Sequence, residues 1–235
     1  MKHLLFLISI ILSLIFMEQT SIAQNDRLNI DWPNLAKYKD DNIKIGLPKP
    51  GENRVVFMGN SITEAWGQVN PDFFESKLYI NRGISGQTTP QMLVRFRVDV
   101  VSLKPKVVVI LAGTNDIAEN NGPTTLEMIE DNIASMVDIA KANNIKIVLC
   151  SVLPAYDYPW KPGLNPAEKI VNLNKWIKDY AAKSEIFYVD FFTPMADERN
   201  GLKKEFSEDG VHPNKKGYEV MTPLVEKAIA NALAD

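Results

Sequence analysis

The run Val107-Val108-Val109-Ile110-Leu111 is apolar at every position, too short for a buried helix and without the polar alternation of a half-exposed strand. Such a segment folds as a strand only if both faces of its sheet are covered, which places it at the centre of a parallel sheet flanked by helices. Its surroundings agree. From Arg54 onward, short apolar runs at 55–58, 79–81, 145–149 and 186–189 alternate with longer amphipathic stretches at 90–102, 125–143, 166–183 and 214–233. Strand and helix in alternation predict parallel α/β construction. Within 125–143, Met128, Ile129, Ile133, Met136, Val137, Ile139 and Ala140 recur at three- and four-residue spacing and predict one buried helix face, both methionines included. No repeat, low-complexity tract or linker divides the chain.

The N-terminus reads differently. Met1-Lys2-His3, an apolar stretch to Met17 and the small-residue triplet Ser21-Ile22-Ala23 have the form of an export signal over residues 1–23, cleaved after Ala23. The apolar stretch is shorter than the roughly 20 residues that span a bilayer, so the expectation is a secreted or periplasmic protein with no stable membrane anchor after cleavage. A retained anchor is the alternative. Residues 24–53 form a polar lead, read as an arm packed on the domain with a short helix near 31–41, and residues 54–235 form one domain.

Composition excludes several classes. A net charge of −3 without a basic cluster lacks the footprint of a nucleic-acid binder. Beyond the expected leader there is one histidine, and Cys150 is the chain's single cysteine, so the usual metal-ligand sets cannot be assembled and no internal disulfide can form. Cys150 closes an apolar run and reads as a buried thiol. The glycine pattern of a dinucleotide site is missing after the first strand, so no cofactor is expected.

The remaining histidine, His212, stands in Asp209-Gly210-Val211-His212-Pro213, far from an early Gly59-Asn60-Ser61-Ile62. A serine hydroxyl is a poor nucleophile until an imidazole takes its proton and an acid orients that imidazole. Ser61, the segment 83–89, Asn115 and the Asp209/His212 pair all follow predicted strands or lie beyond the last one. In an open parallel sheet the carboxyl ends of the strands share one edge, where ligands bind.

Four segments together resemble the SGNH hydrolases, the GDSL esterase family. They are Phe57-Met58-Gly59-Asn60-Ser61-Ile62-Thr63, Asn81-Arg82-Gly83-Ile84-Ser85-Gly86-Gln87-Thr88-Thr89, Ala112-Gly113-Thr114-Asn115-Asp116 and Asp209-Gly210-Val211-His212-Pro213. The resemblance covers the chain from Arg54 to the C-terminus. It implies a three-layer α/β/α sandwich around a mostly parallel, flavodoxin-like five-stranded sheet, and carboxylic ester hydrolysis through an acyl-enzyme. Ser61 would be the nucleophile, His212 the base and Asp209 its orienting acid. An oxyanion hole would be formed by the N–H groups of Ser61 and Gly86 and the side-chain amide of Asn115. The alternative for Asp209 is an aspartate capping the helix that follows. Asp116 reads as structural, holding its loop through hydrogen bonds. The chain departs from the family at Asn60, where aspartate is usual; asparagine keeps an acceptor but loses the charge. An α/β-hydrolase elbow is excluded because Ser61 is followed by Ile62-Thr63.

The ester is less constrained. The polar residues 119–122 and the aromatic Tyr156, Tyr158 and Trp160 lie near the expected site and predict short acyl groups, acetyl above all, on a carbohydrate or similar polar alcohol. The three aromatic residues would stack on sugar rings, or simply pack as a loop cluster. A lysophospholipase- or thioesterase-like acylhydrolase and a non-catalytic carbohydrate-binding domain are the competing expectations. Oligomeric state is left open.

Overall fold

Five strands form one all-parallel sheet in the computed structural model, which describes residues 31–77 and 79–235. The expected leader lies outside the described residues. In chain order the main elements are α1 (Lys39–Ile45), β1 (Val55–Gly59), α2 (Ser61–Val69), α3 (Pro71–Glu75), β2 (Tyr79–Gly83), α4 (Thr89–Asp99), β3 (Val107–Leu111), α5 (Thr114–Ile117) and α6 (Leu126–Ala142). They continue with β4 (Lys146–Cys150), α7 (Pro166–Lys183), β5 (Phe187–Val189), α8 (Phe192–Met195) and α9 (Lys215–Ala234).

The strand order is β2-β1-β3-β4-β5. The chain steps outward from β1 to β2, then returns across β1 to β3, so the crevice at which the order reverses lies between β1 and β3. Register sharpens this. Gly59 pairs with both Gly83 and Leu111, so β1, β2 and β3 finish level and release their loops along one edge.

Alternation along the strands splits the core in two. Val56, Met58, Val108 and Ile110 face Met92 and Phe96 of α4, Ile133 and Met136 of α6, and Ile170 and Leu173 of α7. Val55, Phe57, Val107 and Val109 face Ile62 and Trp66 of α2, Phe73 and Phe74 of α3, and Met221 and Val225 of α9. Each such fully buried side chain contributes about 1.5–3 kcal/mol, so neither helix layer can be shed. This is the three-layer sandwich that the resemblance implies.

Three details differ from expectation. The arm's helix is α1, while residues 31–38 form turns started by Asp31, whose carboxylate accepts from the N–H groups of Leu35 and Ala36 at 2.8 Å. The helix α3, and the extent of α2 beyond the strand-to-helix turn at Ser61, were not anticipated. Met128 is 51% exposed, not core: it lies on the row of Asn132 and Ser135, one step off the buried Ile129–Ile133–Met136–Ala140 stripe. Cys150 is buried, as expected.

Candidate active site

Ser61 is placed by the junction of β1 and α2. A Cβ on Gly59 would meet Thr63 Oγ1 at 2.0 Å and the Leu111 carbonyl oxygen at 3.0 Å, so only glycine allows the strand to turn this tightly into the helix. Asn60 then caps the helix, its Oδ1 accepting the Ile62 N–H at 3.0 Å. That cap needs an acceptor and no charge, which is why asparagine serves where the family usually has aspartate. Ser61 is thus the first residue of α2, where backbone N–H groups have no helical partner and the helix dipole favours negative charge.

Ser61 Oγ lies 2.9 Å from His212 Nε2, and His212 Nδ1 lies 2.7 Å from Asp209 Oδ2. The other Asp209 oxygen accepts the N–H groups of Val211 and His212 at 2.9 and 2.8 Å and the Ser207 hydroxyl at 3.1 Å. Partial burial pushes the Asp209 carboxyl up, but the His212 ring and these N–H donors outweigh it and hold it at about 2. The capping alternative for Asp209 does not hold: Asn214 caps α9, its Oδ1 accepting from the Gly217 N–H at 3.2 Å. The Tyr218 hydroxyl donates to the Ile62 carbonyl at 2.7 Å and ties α9 to the first turn of α2.

Gly86 and Asn115 flank the same edge. Gly86 has φ +76°, a backbone that disfavours a side chain. Asn115, in the short helix α5, is buried, and one N–H of its amide donates to the Gln87 carbonyl at 3.0 Å, so the residue after Gly86 holds Asn115 in place. Asp116 accepts from the Thr89 N–H at 2.9 Å and the Thr89 hydroxyl at 2.6 Å, pinning the start of α4; burial pushes its carboxyl up to about 6, with the Thr89 bonds partly opposing.

Behind this loop is a network that no sequence motif announces. The fully buried Arg95 donates from Nε to Gln87 Oε1 at 2.5 Å, from Nη2 to the Gly59 carbonyl at 2.9 Å and from Nη1 to Asp99 at 3.1 Å. Gln87 Nε2 donates to the Pro33 carbonyl at 2.7 Å, and Gln91 Nε2 to the Trp32 carbonyl at 2.8 Å. The Tyr38 hydroxyl donates to the Gly83 carbonyl, and Lys37 pairs with Glu64, which accepts from the Ser85 N–H at 2.8 Å. The arm therefore clamps the segment carrying Gly86. The available signal was an arginine standing on the buried face of α4, between Met92 and Asp99.

The three aromatic candidates separate. Tyr158 is fully buried, its hydroxyl 3.0 Å from Thr114 Oγ1 and its phenol pushed up by burial, so it cannot stack on a sugar; Asp157 turns the chain inward there by accepting the Tyr158 N–H. Tyr156 and Trp160 reach the surface, 53% and 44% exposed. The Trp160 ring lies 5.9 Å from the His212 ring, and its Nε1 donates to Asn120 Oδ1 at 3.1 Å.

A family model described as the GDSL-like lipase/acylhydrolase family matches residues 57–220, more than half of the chain. The chain belongs to that family. Among relatives, it is 26% identical over 248 residues to an acetylxylan esterase of Xylanibacter ruminicola, a match covering 89% of this chain and 48% of that protein. The chain thus spans about half the length of that relative. Among solved structures, a proposed acylhydrolase from Bacteroides fragilis is 47% identical with a TM-score of 0.86, covering 87% of this chain and all of that one. A GDSL-like lipase from Bacteroides thetaiotaomicron is 46% identical with a TM-score of 0.84, covering 86% of this chain and all of its own.

Proposed function

We propose that this GDSL-type hydrolase cleaves short-acyl esters, above all acetyl esters, of carbohydrates or similar polar alcohols through an acyl-enzyme on Ser61. The observation that carries the catalytic part is the unbroken chain from Ser61 Oγ through His212 to Asp209, at 2.9 and 2.7 Å. His212 Nε2 takes the hydroxyl proton as Oγ attacks the carbonyl carbon. The negative oxygen is stabilised by the N–H groups of Ser61 and Gly86 and by the Asn115 amide, neutral donors that do not trap the carboxylate product. On collapse His212 returns the proton to the departing alcohol, and a water attacking the acyl group repeats the sequence.

The alcohol side favours a sugar. Trp160 stands beside His212, where the leaving alcohol receives its proton, and offers an aromatic face to a pyranose ring. The acetylxylan esterase relative supports the same choice. The N-terminal sequence supports export with cleavage after Ala23, which would bring the enzyme to extracellular glycans; mass spectrometry of the mature N-terminus tests this.

Ser61→Ala should lower kcat by on the order of a million-fold, and a serine-directed phosphonate should label only the wild type. Equal labelling of the alanine variant would remove Ser61 from the mechanism. For the acyl group, a p-nitrophenyl ester series from acetate to palmitate decides. A buried acyl channel would add about 0.8 kcal/mol for each CH₂, so kcat/KM should then climb with length, whereas the proposal requires its maximum at acetate.

A further inference from the structure

A cavity of about 340 Å³ lies between the loop that carries Trp160 and the loop that carries the catalytic acid. Tyr156, Pro159 and Pro162 line it from the first loop, Arg199 and Lys204 from the stretch before the second, and Asp209 with Gly210 from the second. We propose that this groove is a subsite for the sugar units that flank the esterified one, so that the enzyme acts on a neutral oligosaccharide chain and not on an isolated sugar. The inference rests on the acetyl-carbohydrate reading above and goes beyond it.

Position comes first. The departing alcohol must lie near His212 Nε2 to receive its proton, and the contact between Trp160 and His212 joins the two loops at that point. The groove is walled by the same two loops, through Pro159, the chain neighbour of Trp160, and through Asp209, the partner of His212, and this adjacency sets it beside a chain attached to that alcohol. Its volume falls within the roughly 300–1,000 Å³ of ligand sites.

The walls are held in place before any ligand arrives. Arg199 lies over the Tyr156 ring at 4.6 Å and pairs with Asp197 at 3.3 Å. Asp197 in turn accepts the N–H groups of Arg199 and Gly201 at 2.9 and 2.8 Å. On the opposite loop, Asp157 accepts the N–H groups of Tyr158 and Gly163 at 2.9 and 3.1 Å. A preformed groove loses little entropy on binding.

The chemistry of the lining selects the ligand. Tyr156 is half-exposed: Arg199 lies over one face of its ring, and the surface left open would take the C–H side of a pyranose. Arg199 and Lys204 supply donors, and Glu208 supplies acceptors, at the rim. Groups of both signs suit a neutral ligand rich in hydroxyls. An anionic substituent would meet the carboxylates of Asp157, Glu208 and Asp209 as well as the two cations, and a fatty chain would take water from this charged lining without offering it a hydrogen bond.

The test compares two probes on the full mature enzyme: an acetylated methyl xyloside and an acetylated xylotetraose, with p-nitrophenyl acetate as a measure of esterase competence. The quantity read is the ratio of kcat/KM for the tetrasaccharide, per ester, to that for the monosaccharide. In the wild type the ratio should be about tenfold or more, and Tyr156→Ala and Lys204→Ala should each bring it down severalfold. A variant that only folds poorly lowers both rates and leaves the ratio in place. A wild-type ratio near one, or a ratio kept by both variants, overturns the subsite while leaving the acetyl-sugar reading intact. Hydrolysis of p-nitrophenyl acetate with no release of acetate from either sugar overturns that reading and the subsite with it.

Discussion

Asp209 stays ionised down to about pH 2, because the His212 ring and the loop N–H groups outweigh its partial burial. Asp209 should therefore add nothing to the acid loss of kcat/KM above about pH 4, where the slope in a logarithmic plot should not exceed one. A slope of two above pH 4 would bring a second group into the catalytic chain. Asp209→Asn should lower kcat by roughly 10⁴, since the ring loses the acceptor that fixes its tautomer. Asp116 behaves in the opposite sense. Its folded carboxyl sits at about 6, against about 3.9 in an unfolded chain. Below pH 4 both states are protonated. Between pH 4 and 6 the unfolded state ionises first, so stability falls as pH rises through that window, by on the order of 2 kcal/mol. Asp116→Asn should flatten this dependence, and urea melts at pH 4 and pH 6.5 measure it directly. The meeting of Ser61, His212 and Asp209 was legible because Ser61 and His212 carry distinctive neighbours and His212 has no rival beyond the expected leader. Tyr158 was not: a tyrosine two residues from another reads as surface until the Asp157 turn is seen to aim it inward at Thr114.

The segment between β2 and α4 meets both the turn before Ser61 and Asn115, and Gln87 is its node. Asn115→Ala should lower kcat by roughly 100- to 1,000-fold with a small change in KM, the effect of losing one donor to the developing charge. Gln87→Met keeps the side chain's length but removes the bonds to Pro33 and Arg95. It should lower kcat by roughly 10- to 100-fold, because small displacements of positioned donors are costly. If Gln87 acts by placing Asn115, the double variant should be little worse than Asn115→Ala alone. Full additivity in the cycle would separate the two. At this scale the strands were readable from sequence, since β3 is apolar on both faces and could be little else. The extent of α2 was not, because Gly67 lies within it and gives no periodic signal. Nor was the arm's role. Its Trp32 and Pro33 contacts are made through backbone carbonyls, which any residue would present, and α1 buries no side chain that could have set an amphipathic pattern.

Across the whole molecule, the level ends of β1, β2 and β3 and the return of the chain at β1/β3 bring four short segments to one edge of one sheet. The order of the motifs along the sequence was enough to anticipate that convergence, because parallel strands leave no other edge for their following loops. The groove between the Trp160 loop and the catalytic loop could not be anticipated, since it depends on how two irregular segments pack and follows no periodicity. The Ser61–His212 bond spans 151 residues, nearly two thirds of the chain. Contacts so distant in sequence raise the contact order, and they close late in folding because the intervening chain must first be ordered. Hydrolysis thereby becomes a clock for the final folding step: after dilution from urea, helical circular dichroism should return first, and turnover should appear only when α9 docks and carries His212 onto the first turn of α2.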